Sequence, residues 1–105
     1  MSDEPFERHF AALRDRFSTR LCAYREQLDR ARTDFVNGAG PESIRELKRI
    51  SHELAGASGV FGFAELGEAA LALERAADAA LQDGRERKAV IAPLRQLMRE
   101  LALSV

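Results

Sequence analysis

The stretch SHELAGASGVFGF, residues 51–63, sets three glycines at intervals of three, Gly56, Gly59 and Gly62, just after His52. It lies inside a helical pattern. Ile44, Leu47, Ile50, Leu54, Ala57 and Phe61 recur every three or four positions, the period of an amphipathic helix. Pro41 suits the first turn of that helix and Gly62 its end, so a helix is predicted over residues 41–60. On a wheel of about 100° per residue, the apolar stripe lies about 140–220° from His52. His52 therefore faces away from the core. Within roughly 60° of it fall Arg45, Lys48, Arg49, Ala55, Gly56 and Gly59, a cationic face poor in side chains. An interior glycine costs about 1 kcal/mol relative to alanine. Core packing does not require glycine on an outer face, whereas close approach of a partner to His52 does.

Outward from this helix the pattern stays helical. Upstream, Phe6, Phe10, Leu13, Phe17, Leu21, Tyr24, Leu28, Ala31 and Phe35 step by three or four. Ser18-Thr19 offers a cap that would divide them into a short helix over about 4–17 and a longer one over about 19–36. The unbroken stripe also allows one continuous helix. Asn37-Gly38-Ala39-Gly40 ends it. Downstream, Leu66, Ala70, Leu73, Ala77 and Leu81 predict a helix over about 64–82, alanine-rich and so open to a close neighbour, with Gly84 ending it. Val90, Leu94, Leu97, Leu101 and Val105 predict the last helix. Pro93 fits only near its first turn, which places the start near 88–90. No period-two alternation and no internal repeat occurs. The expected fold is all-α: an antiparallel four-helix bundle with an additional short N-terminal helix, unless that helix is continuous with the next.

Composition narrows the function. The chain has 105 residues, 46% of them hydrophobic and 31% charged, enough for a single domain over 1–105 with one core. A net charge of −1 argues against a nucleic-acid partner. Residues 63–84 carry five acids and one base, and residues 85–105 carry five bases and two acids. Cys22 is the only cysteine, most simply a small semi-buried side chain, so nothing suggests an extracellular disulfide framework. No signal-like run or membrane-length apolar stretch is present, so a cytoplasmic location is expected, with Met1 as a natural start. A metal site fails on ligand count, since the other histidine, His9, flanks the first stripe as a surface residue. A dinucleotide loop fails on both glycine spacing and the lack of a preceding strand.

The stretch resembles the signature of histidine-containing phosphotransfer (HPt) domains, roughly H-x-L-K-G-x-[SA]-x-x-[LVF]-G. His52, Leu54, Gly56, Ser58, Phe61 and Gly62 fall in register, and LGEAALALE at residues 66–74 matches the following helix of the family, L-x-E-A-A-x-x-L-E. The resemblance spans about 6–103. It implies that His52 accepts and donates a phosphoryl group, shuttling it between aspartates of receiver domains in a multistep relay, without ATP hydrolysis or autokinase activity. It implies receiver domains or a hybrid sensor kinase as partners, a monomer, and no cofactor of its own, with Mg2+ brought by the receiver. Neutral imidazole is a nucleophile at physiological pH, and phosphoryl transfer asks mainly for positioning and charge stabilisation.

One position departs from the signature. The family usually has lysine three residues after the histidine, and here that position is Ala55. Arg49, Lys48 and Arg45 are the candidates to stabilise the phosphoryl group in its place. Ala55, Gly56, Gly59 and Val60 form the expected approach for the partner. Two other readings stay open: a receiver- or kinase-binding module that has lost transfer, and a helical scaffold or adaptor using the long N-terminal stripe.

Overall fold

A computed structural model describes residues 4–83 and 87–104. The expectations placed on Met1, Gly84 and Val105 lie outside the described residues. Four α-helices follow one another: α1 over Glu4–Val36, α2 over Pro41–Val60, α3 over Ala64–Asp83 and α4 over Ile91–Ser104. A 3-10 turn, Arg87–Val90, leads into α4. They bury a single shared cluster. Phe17, Leu21 and Leu28 of α1 meet Leu47, Ile50 and Leu54 of α2, Leu66 and Leu73 of α3, and Leu97 and Leu101 of α4. The stripes of the sequence are thus the inner faces of an antiparallel bundle.

The first helix is continuous. No break falls at Ser18-Thr19, and the separate short N-terminal helix does not form. Thr19 Oγ1 instead donates to the carbonyl of Asp15 at 3.0 Å, a bond back along the same helix. At 33 residues α1 spans about 50 Å, against about 30 Å for the 20-residue α2. Its first turns therefore overshoot the others, in a molecule 55 Å long and about 20 Å across. The core consequently begins at Phe17 rather than at the first residues of the stripe. Phe6 is 70% exposed, and Phe10 packs its ring against Phe61.

Glycine ends both leading helices. Gly38 (φ 79°) follows α1, where Ala39 N–H donates to the carbonyl of Asp34 and Gly38 N–H to that of Phe35. Gly62 (φ 81°) follows α2, where Phe63 N–H donates to the carbonyl of Ser58 at 2.9 Å. Both are Schellman closures, whose left-handed residue is easiest for glycine. Pro93 sits third in α4, within the turn whose N–H groups need no helical acceptor, so α4 begins at Ile91, after a 3-10 lead-in. Cys22 is exposed rather than semi-buried.

The α2–α3 contact is the most extensive in the bundle. Gly67 faces Ser58: a Cβ at position 67 would lie 3.4 Å from Ser58 Cβ and 3.9 Å from the carbonyl oxygen of Ala55. Small residues on both helices let the backbones draw near. That approach brings the outer edge of α3 within reach of the outer face of α2, where His52 stands.

Candidate functional site

His52 projects from the middle of α2 with 75% of its side chain exposed. It is not a free rotor. Nδ1 lies 2.7 Å from Oε2 of Glu74 on α3, and Glu74 itself is only 18% exposed. An ionised carboxylate has no proton to give, so the hydrogen is on Nδ1 and the ring donates. In the neutral imidazole this leaves the lone pair on Nε2, in a side chain that is mostly exposed. The contact fixes the ring and selects its tautomer.

The three cations of this face are placed differently. Lys48 Nζ donates to Asp78 Oδ1 of α3 at 2.8 Å. Arg49 turns toward α1 and is held by Glu46, by Glu53 Oε1 at 3.0 Å and by Gln27 Oε1 at 3.0 Å. The hydrogen bonds from Arg49 hold the Glu46 carboxyl below its ordinary range, and those of Glu46 foremost raise Arg49 further. Arg45 has no ion-pair partner among the described residues. With His52 and Glu53 the three cations line a shallow depression of about 370 Å³.

The glycines leave the other side of the imidazole bare. A Cβ at Gly56 or Gly59 would meet nothing within 4 Å. Among the described residues, no neighbouring helix uses the space they open. Val60 is 63% exposed beyond them. Ala55 is half-buried against the core cluster.

Sequence reasoning missed Glu74 and Asp78. Each flanks the apolar stripe of α3, and Glu74 closes the LGEAALALE stretch already singled out. What could not be read was the vertical register of α3 against α2, which puts Glu74 level with His52 and Asp78 level with Lys48.

An oriented, solvent-facing histidine on the second helix of a bundle is the arrangement that the resemblance to HPt domains implies. The family comparison agrees: the model of the Hpt domain matches residues 12–103, and the chain belongs to that family. Comparisons with curated proteins and with solved structures gave no match. Hpt domains serve histidine phosphotransfer in phosphorelays, where they interact with receiver domains and kinases. Among the described residues no helix is long and apolar enough to cross a membrane, and no group of three or more His, Cys, Asp or Glu is placed to hold a metal ion.

Proposed function

We propose that the chain is a phosphoryl shuttle of a multistep relay and that Nε2 of His52 is the atom that carries the phosphoryl group. The observation that carries this reading is the Nδ1–Glu74 contact, because it leaves a nucleophilic lone pair on the exposed nitrogen. In the forward step Nε2 attacks the phosphorus of a receiver's aspartyl phosphate. The N–P bond forms, the P–O bond to the aspartate breaks, and the aspartate leaves as a carboxylate. The ring then carries Nδ1–H and the phosphoryl group together, so it bears formal positive charge. Glu74 offsets that charge, and reversal of the step returns the group to an aspartate.

This chain contributes position and electrostatics, and the receiver contributes Mg2+ and the acidic pocket. In place of a lysine at Ala55, the added charge comes from the cations of the depression. Arg45 is unpaired among the described residues, Lys48 has one carboxylate to release, and Arg49 has two. Arg45 and Lys48 therefore respond most readily to an arriving phosphoryl group, and Arg49 chiefly holds the wall. The exposed strip of Gly56, Gly59 and Val60 receives the partner's surface.

The test is loading by a phosphorylated receiver. The product should be acid-labile and base-stable phosphate that is absent from His52→Gln. Failure of every receiver in a broad panel, or equal loading of His52→Gln, would sink the reading. Receiver binding that survives His52→Ala while no phosphate ever appears would leave a docking module instead.

A further inference from the structure

We propose that the groove between the C-terminal end of α1 and the start of α4 binds an acidic segment of a partner protein, anchored by apolar side chains. The groove has a volume of about 770 Å³. Its floor is apolar: Phe35 and Leu94 are buried beneath Val36, 69% exposed, and Ile91, 40% exposed. Large apolar side chains left wet in a concavity gain free energy when a partner covers them.

The rim is cationic. Among the described residues Arg32, Arg87, Lys88 and Arg95 line the groove, and no acidic side chain does. Two of these charges have work within the fold. Arg87 donates to the carbonyl of Phe35 at 2.7 Å and lies over its ring at 4.4 Å, securing the end of α1, and Arg32 pairs with Asp29. Lys88 and Arg95 have no ion-pair partner among the described residues. In a chain of net charge −1, this concentration of positive charge selects an occupant rich in carboxylates.

The remaining chemistry narrows the occupant to a polypeptide. A concave site does not lie flat on a lipid surface. The one aromatic face is already covered by Arg87, so a nucleobase finds no ring to stack on. A second copy is the competing occupant, since α3 leaves Glu65 and Glu68 exposed while Glu74 and Asp78 are engaged within their own chain, and self-association that is lost in the double variant would overturn the peptide. A short segment with apolar anchors between carboxylates fits both floor and rim, as in helix-in-groove recognition. The groove shares no lining residue with the His52 depression, so both can be filled at once.

The test uses phage-displayed random peptides selected on the full chain and counter-selected on the Lys88→Glu/Arg95→Glu double variant. Enriched peptides should combine Asp or Glu with Leu, Ile or Phe. The best of them, synthesised, should bind the double variant and Ile91→Ser about tenfold or more weakly than the original chain. Its footprint in amide NMR spectra should centre on Val36, Lys88 and Ile91. Circular dichroism checks that the exposed substitutions leave the fold intact. Absence of acidic enrichment, undiminished binding to the double variant, a footprint on His52, or capture of phosphatidylglycerol vesicles in place of peptide each overturns the proposal. The inference stands apart from the phosphotransfer reading: phosphate loading of His52, measured in parallel, should be the same in the double variant.

Discussion

At the scale of single residues, Glu74 has the most consequence for chemistry. Glu74→Ala removes both the acceptor that fixes the ring and the charge that offsets a phosphorylated imidazole. Transfer to His52 should fall about tenfold or more. Glu74→Gln keeps an acceptor for Nδ1–H and should recover part of the rate, while circular dichroism of both variants stays unchanged. Equal rates for all three proteins would show that Glu74 does not act on the ring. Ser58 tests the core instead. Its Oγ is buried without a hydrogen-bond partner among the described residues, so Ser58→Ala should raise stability by about 1 kcal/mol, read as a higher urea midpoint at unchanged slope. The outward direction of His52 was legible in the sequence, because it needs only the period of one helix. Glu74 was not legible, because its role depends on the register of two.

At the scale of elements, α1 shows how a strong local signal yields to a longer one. Ser18-Thr19 has the chemistry of a cap, yet a stripe running without interruption from Phe10 to Phe35 keeps one helix face apolar throughout, and Thr19 satisfies its hydroxyl by bonding back to Asp15. The two arrangements respond oppositely to Thr19→Pro. At the first position of a separate helix proline would be well tolerated. In the interior of a continuous helix it should cost about 3 kcal/mol or more, a loss that urea unfolding would register directly. The start of α4 was misplaced for a related reason: Pro93 fixed the first turn, but a 3-10 lead-in of four residues is not distinguishable by periodicity from the helix it joins. The turn at Gly62 was legible, since a positive φ of 81° requires a residue that adopts it easily. Gly62→Ala should destabilise the chain by about 1–2 kcal/mol.

At the scale of the whole molecule, the bundle trades stability for access on one face. Gly56 and Gly59 have ordinary helical surroundings and open space in front of them, so the fold itself would be served better by almost any other side chain. Leucine at either site should raise helix stability by up to about 1 kcal/mol. The same side chain would occupy the approach to Nε2. Gly56→Leu and Gly59→Leu should therefore melt no lower than the original chain and yet accept phosphate from a receiver at least about tenfold more slowly, the behaviour expected where function and stability pull apart. The double variant at Lys88 and Arg95, neither of which lines the His52 depression, serves as the control with unchanged transfer. Slowed transfer together with a lower melting temperature would assign the loss to damaged structure. Undiminished transfer in a stabilised protein would mean that the partner reaches His52 by another route, and that the glycines of residues 51–63 answer to something other than docking.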